Sequence, residues 1–293
     1  MPKSLRYLLI LLSCAVGLAV LAVLMMNQRV DARLARVYRM PSETLTIPSD
    51  PAAIERGEHL VNAVYLCELC HGEDLGGQLQ FDDPLSGQIV ASNLTAGRGG
   101  VGDEFTAADW ERAIRHGLGS DGRPLIEMPS NTFADIADRD LGAVIAYLRS
   151  LPPVDRELPE RKLGLLYRIS VLLDPSLIPA EVIDHSAVHP PAPASGITVE
   201  YGRYLTRACT ICHKDNLAGG PSAGAGLDLT RAGDLPNWTE AEFRHALRTG
   251  ERPRGADLDP KLMPYQLVGK MTDAELAAIW LYLQTLQSSS GEG

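Results

Sequence analysis

Two pentapeptides constrain this chain more than any other feature: Cys67-Glu68-Leu69-Cys70-His71 and Cys209-Thr210-Ile211-Cys212-His213. They use four of its five cysteines and lie in matching surroundings. Leu94-Thr95 returns as Leu229-Thr230, Met128-Pro129 as Met263-Pro264, Leu141 as Leu276 and Tyr147-Leu148 as Tyr282-Leu283, every pair 135 residues apart. The pentapeptides are 142 apart, so the first copy has a loop seven residues longer after its motif. Each motif follows a segment containing a glycine (Gly57, Gly202) and precedes a Gly-Gly turn (Gly76-Gly77, Gly219-Gly220). Repetition at this period in 293 residues reads as two tandem copies of one domain.

Both copies read as helical. Thr106 with Asp109 and Thr239 with Glu242 have the spacing of capping boxes, and Gly117 and Gly250 follow as stops. The last helix of each copy carries one apolar stripe: Leu141, Val144, Ile145 and Leu148 in the first, Leu276, Ile279, Trp280 and Leu283 in the second. No stretch alternates with period two, so sheet is expected to be minor. A proline-rich segment joins the copies and holds an apolar island, Leu163–Leu173. That island is expected to pack against both domains; contact with a membrane surface or a partner subunit is the alternative.

C-x-x-C-H is the attachment pattern of c-type haem. The two thiols add to the porphyrin vinyl groups, and the histidine next to the second cysteine then lies under the iron as an axial ligand. The competing readings are weaker. A four-cysteine zinc site usually has its pairs about 15–20 residues apart. A thioredoxin-like pair belongs in a βαβ pattern. A disulfide gives no reason for a histidine at the same offset twice. Two covalently bound haem c groups are therefore expected, held by Cys67, Cys70 and His71 and by Cys209, Cys212 and His213. Aromatic residues make up only 5% of the chain, which fits small domains whose central apolar body is a porphyrin.

The second axial ligand of each iron is expected from Met128 and Met263, which correspond in the repeat and are each followed by proline. The other methionines lack such a match; at the repeat offset from Met271 stands Ile136. His116 and His245 fall near one another in the repeat, at non-equivalent positions close to helix C-termini. A solvated histidine complementing the helix dipole is the expectation there. His59, His185 and His189 have no repeat partners and read as structural or surface residues. With His71, Met128, His213 and Met263 as iron ligands no coordination position stays open, a state suited to one-electron transfer. No catalytic constellation stands out elsewhere, so the chain is expected to carry electrons and not to be an enzyme.

Residues 7–26 form an uncharged run of 20, about 30 Å long as a helix, the thickness of a bilayer's hydrocarbon core. It is longer than a signal-peptide core and ends in Leu24-Met25-Met26-Asn27-Gln28-Arg29, a poor cleavage site, so an uncleaved anchor is expected. Acylation at Cys14 is the rival reading. Lys3 and Arg6 precede the run and four arginines follow it, so charge alone leaves its orientation ambiguous. Beyond residue 40 the chain holds 21 basic and 36 acidic side chains, a net charge of −15. Such a body would repel nucleic acid and attract basic partners.

With these residues in view, the chain resembles membrane-anchored di-haem class I cytochromes c, related to the cytochrome subunits of bacterial membrane-bound alcohol and aldehyde dehydrogenases. The resemblance is carried by both pentapeptides, by the stretches over 92–95, 105–129 and 140–154, and by those over 238–250, 263–265 and 273–286. It departs from those subunits, which often carry three haems and a C-terminal membrane segment. The resemblance implies an all-α fold of two tandem class I domains after a single N-terminal transmembrane helix. The expected division is an anchor over 1–40, a first domain over 41–155, a linker over 156–197 and a second domain over 198–293. It also implies attachment of haem outside the cytoplasm, which places the domains on the periplasmic side of the inner membrane. The partners implied are the bilayer, through residues 7–26, and redox proteins with a basic docking surface, among them a dehydrogenase, a quinol-oxidising complex or an oxidase. The competing function is that of a di-haem peroxidase.

Overall fold

The computed structural model describes residues 2–40, 45–220 and 226–287. The chain begins with one long helix, α1 (Lys3–Leu34), whose apolar window is wholly unburied within the protein. The helix runs on past the uncharged stretch, and there its character changes. Val30 is fully buried, Arg33 pairs with Glu181 at 2.6 Å and donates to the Val171 carbonyl, and Asp31 pairs with Arg168.

The first folded unit contains α2 (Pro51–His59), which continues through one π-helical turn at Leu60–Val64, then α3 (Cys67–His71), β1 (Gln78–Asp83), β2 (Gly87–Ala91), α4 (Ala107–His116), α5 (Ser130–Phe133) and α6 (Asp138–Ser150). The connecting segment holds β3 (Lys162–Leu163) and α7 (Leu165–Leu173). The second unit has α8 (Val199–Leu205), α9 (Thr210–His213), α10 (Glu240–Thr249), α11 (Tyr265–Val268) and α12 (Asp273–Leu283).

Local sequence explains most of these boundaries. Asp50 caps α2 with Pro51 at its first position, where the missing N–H has no partner to lose. Both expected capping boxes are formed, Thr106 with Asp109 and Thr239 with Glu242, and both helices end in left-handed glycines, Gly117 and Gly250. A third box, Thr272 with Glu275, starts α12.

The first and last helices of each unit cross face to face, α2 on α6 and α8 on α12. At each crossing a glycine lets the backbones touch. A Cβ on Gly57 would lie 2.0 Å from the Ala143 carbonyl oxygen, and one on Gly202 would lie 2.0 Å from that of Ala278. The equivalence of the two crossings is what the repeated glycines of the sequence record.

The fold is mainly helical but not purely so. The seven extra residues after the first motif are part of an antiparallel hairpin, β1 against β2, to which β3 adds a third strand. Its pattern escapes a period-two reading because both strands are short and β1 carries a bulge between Leu79 and Phe81. The apolar island also departs from expectation. It packs through Tyr167 and Val171 against Val30, Ile89, Ile126 and Ile178, so it joins α1 to the first unit and not the two units to each other. Leu165, Leu166, Ile169 and Leu173 of α7 stay exposed.

The two units share one continuous apolar core. Polar contacts cross it in a pseudo-symmetric pattern. His59, from α2, meets Glu275 of α12 at 2.7 Å, and Tyr204, from α8, donates to Asp140 of α6 at 2.9 Å. Arg56 reaches both acids, at 3.4 Å from Asp140 and 3.3 Å from Glu275. The Tyr65 and Tyr204 hydroxyls lie 3.2 Å apart. Burial pushes the Glu275 carboxyl up, but His59, the Thr272 backbone N–H and the Arg56 charge outweigh it and hold the group at about 2.

Two predictions follow from this packing. Gly57→Ala and Gly202→Ala should each destabilise the holoprotein by about 1–3 kcal/mol in chemical denaturation, because a methyl group there forces the crossing helices apart. Gly196→Ala, where a Cβ would meet nothing within 4 Å, should be neutral. Because Glu275 binds its proton more weakly folded than unfolded, its contribution is full above about pH 4.5 and is lost as pH falls toward about 2. Melting curves of Glu275→Gln should therefore show a flatter loss of stability over that interval than those of the parent protein.

Candidate functional site

The site in the second unit is built from the chain reversal at its motif. α9 ends at His213, and Lys214 and Leu217 then take left-handed conformations, φ 66° and 58°. Gly219 follows at φ 65°, and a Cβ there would sit 2.1 Å from the Gly226 carbonyl oxygen. This loop brings the Leu227 carbonyl to 2.6 Å from His213 Nδ1. The first unit repeats the construction. Leu75 and Gly77 are left-handed, a Cβ on Gly77 would approach the Ala91 carbonyl oxygen to 2.6 Å, and the Ser92 carbonyl lies 2.8 Å from His71 Nδ1.

A carbonyl can only accept, so each histidine donates through Nδ1 and keeps a bare Nε2. Burial lowers the pKa of both imidazoles against the opposing effect of that hydrogen bond, which favours the neutral ring that binds metal. The thiols of Cys67 and Cys209 are pushed up to about 12, by burial first and then by the neighbouring Cys70 and Cys212. They lie in apolar surroundings and stay protonated as free thiols.

Cys209, His213 and Met263 converge on one cavity of about 520 Å³. Its walls are apolar: Leu229, Leu235, Trp238, Phe243, Leu247 and Ile279 all line it. The charged side chains in its lining are Asp228, Asp234, Asp257 and Asp259 and one guanidinium, Arg252, which pairs with Asp234 at 2.6 Å. An apolar chamber with an imidazole and a thioether in its wall and two cysteines in the adjoining helical turn fits a haem c group.

In the first unit Cys67 and Met128 are half-buried and pack against the core that contains Leu94, Trp110, Ile114 and Phe133. Glu127, immediately before Met128, has φ 65° and accepts a hydrogen bond from the Tyr167 hydroxyl. The two methionine turns match closely. Ser130 N–H donates to the Met128 carbonyl and Tyr265 N–H to the Met263 carbonyl, both at 2.7 Å.

The two sites are neighbours. α5, just after Met128, packs on the turn that leads into Cys209, and α11, just after Met263, packs on the turn before Cys67. Lys270 pairs with Glu68 across the boundary at 2.8 Å, and the Cys70 thiol is pushed up by burial first, then by Glu127 and by Cys212 of the other motif.

Residues outside these sets fall into place as well. Met271 is a core residue, 2% exposed, as is its counterpart Ile136. His245 is exposed and pairs with Glu251. His116 corrects the sequence reading: it is 3% exposed, not solvated, and its ring meets Glu111 and His185. The Ser92 and Leu227 carbonyls were not named from sequence because main-chain groups carry no residue signature. The repeated Leu-Thr pair two residues downstream of each was the available signal.

Comparison with known proteins agrees with this geometry. Residues 52–148 match the family described as cytochrome c oxidase, cbb3-type, subunit III, and residues 199–287 match the family described as cytochrome c. The chain carries two cytochrome c domains. It carries two covalently bound haem c groups. It is 26% identical over 289 residues to the fructose dehydrogenase cytochrome subunit of Gluconobacter japonicus, covering 88% of this chain and 57% of that protein. It is 26% identical over 277 residues to the gluconate 2-dehydrogenase cytochrome c subunit of Pantoea cypripedii, covering 81% of this chain and 60% of that one. A nicotinate dehydrogenase subunit of Pseudomonas putida is 31% identical over 216 residues, 70% of this chain and 17% of that protein. The cytochrome chain thus spans less than two thirds of the length of each of these relatives.

Gly219→Ala should move the Leu227 carbonyl away from His213, whereas Gly77→Ala should move the Ser92 carbonyl away from His71. Each variant is expected to weaken low-spin haem absorption at one site only, with covalent haem content falling from two toward one per chain.

Proposed function

We propose that the chain is a membrane-tethered di-haem electron carrier. It takes single electrons from a periplasmic or membrane donor, a dehydrogenase or a quinol-oxidising complex, and delivers them to a downstream cytochrome or terminal oxidase. The reading rests on the convergence of Cys209, His213 and Met263 on one apolar cavity, together with the matched residues of the first unit. Haem iron, when bound, supplies reversible one-electron oxidation and reduction.

The chain's own residues do the rest. Cys67 with Cys70, and Cys209 with Cys212, would each hold a ring by two thioether links. His71 and His213 present Nε2, held in that tautomer by the Ser92 and Leu227 carbonyls. Met128 and Met263 would supply sulfur as a further ligand to the iron. With His71 and Met128, and His213 and Met263, all engaged as ligands, peroxide or oxygen would find no place, which argues for transfer and against catalysis. The apolar walls exclude water and help to set the potential.

The division that goes with this reading is an anchor over 1–40, a first domain over 41–155, a linker over 156–197 and a second domain over 198–293. The adjacency of the two motifs supports exchange of electrons within the chain. An acidic body, −15 beyond residue 40, suits a basic docking partner. The similarity to cytochrome subunits of fructose and gluconate dehydrogenases supports a dehydrogenase as donor. The haem domains belong on the periplasmic side of the inner membrane. In that orientation Leu165, Leu166, Ile169 and Leu173 of α7 lie beside the point where α1 leaves its uncharged run, and lipid headgroups would cover them.

Detergent-solubilised protein should contain two covalent haems per chain, both low-spin and six-coordinate. Met128→His and Met263→His should each lower one reduction potential while haem content stays at two, because imidazole favours ferric iron more than a thioether does. A high-spin haem that binds cyanide at rest would falsify the carrier reading and point to a di-haem peroxidase. Unshifted potentials in both variants would overturn the assignment of the methionines.

A further inference from the structure

Among the described residues, one group of side chains with metal-ligand chemistry lies outside both haem sites. Glu111 and His116 come from α4 and His189 from the linker, and one donor atom of each lies within 4.8 Å of the other two. Glu111 and His116 are almost fully buried, 2% and 3% exposed. In the second unit the positions equivalent to them, counted from the capping threonines, hold Arg244 and Thr249. The cluster is therefore an addition to the first unit and no part of the duplicated haem machinery.

Hydrogen bonding fixes what the cluster can bind. His185 donates through Nε2 to the Ala180 carbonyl at 2.9 Å, which in the neutral ring leaves Nδ1 as the acceptor. That nitrogen lies 3.0 Å from His116 Nδ1, which must therefore be the donor. His116 Nε2 is left facing Glu111 Oε1 at 3.2 Å. A lone pair against a carboxylate oxygen is unfavourable unless a proton or a metal cation sits between them. Two donors bound to a tetrahedral zinc ion at roughly 2.0–2.1 Å are themselves about 3.3 Å apart, which is the spacing found here. The chain from His116 through His185 to a carbonyl is also the outer hydrogen-bonding that metal-binding histidines use.

The surrounding charges are compatible with this. Arg115 Nη1 lies 3.8 Å from the same Glu111 oxygen, but the guanidinium is drawn away by the Ile136 carbonyl and by Asp138 at 2.6 Å. Asp184 and Arg36 act on His185 from the outer side.

We propose that Glu111, His116 and His189 bind one divalent transition-metal ion of the zinc class. Two imidazoles and one carboxylate make a borderline ligand set that suits such an ion. Its effect is structural: it fastens the linker around residues 180–189 to α4, whereas a proton shared by His116 and Glu111 ties α4 only to itself.

The test uses the detergent-solubilised holoprotein, stripped with chelator, desalted and titrated with Zn²⁺ by calorimetry, with metals counted by mass spectrometry. One zinc per chain is expected in addition to two irons. His189→Ala and Glu111→Gln should weaken zinc binding at least tenfold while iron stays at two per chain. His245→Ala, which removes an exposed histidine, should leave zinc binding unchanged. His189→Ala is the decisive variant, because it removes a ligand that the linker supplies and leaves both α4 ligands in place. Failure of the parent protein to take up zinc, or uptake that is unchanged in His189→Ala, overturns the proposal. Neither outcome bears on the haem ligands, whose iron count is read independently.

Discussion

A main-chain carbonyl held against the Nδ1 of a histidine, once at Ser92 and once at Leu227, is the contact on which each half of this protein depends. It selects the tautomer, orients the ring and turns an otherwise ordinary side chain into a directed donor. The cost falls on the backbone. To return a carbonyl so soon after the motif, the chain has to run through several left-handed residues and a glycine whose Cβ would have no room. The glycine pairs after each pentapeptide follow from that requirement.

The boundary between the units does a different job. It joins α2 and α8, the helices that lead into the two motifs, to the acids of α12 and α6 through His59, Arg56 and Tyr204. Buried acids in such a network are satisfied by several partners each, so the units are held in one register and not merely in contact. The lead-in turns of one motif and the methionine turns of the other also meet at this boundary. Its polar network and the proximity of the two sites are thus parts of one arrangement.

Sequence revealed what is local and repeated. The pentapeptides, the Met-Pro pairs and the capping boxes are short local patterns, and these, like the glycines of the helix crossings, recur in both copies. What it did not reveal depends on distance or on breaks in the symmetry. Glu275 meets His59 across 216 residues, and no pattern near either one announces the other. The hairpin arises where one copy is longer than its twin, so comparison of the copies could locate it but not shape it. His116 sits where a helix dipole favours a solvated histidine, and burial by a linker with no counterpart in the repeat overrides that preference. Similarly, the apolar island in the linker could be recognised by composition, but its partner, the end of α1, lies more than 130 residues away.

The end of α1 also accounts for arginines that make orientation by charge ambiguous. Arg33 is committed to Glu181 and the Val171 carbonyl, and Arg36 lies over the ring of Tyr38. With Val30 buried and Asp31 paired to Arg168, the last turns of the helix are fixed to the body. A flexible leash would let the redox domains sweep a hemisphere and meet partners at any height. A helix fixed in this way acts as a post. With its uncharged run in a bilayer, such a post would set one elevation and one tilt above the lipid, and the search for partners would become lateral diffusion and rotation about the post's own axis. Collisions are then fewer in kind, and a larger fraction of them present the same face.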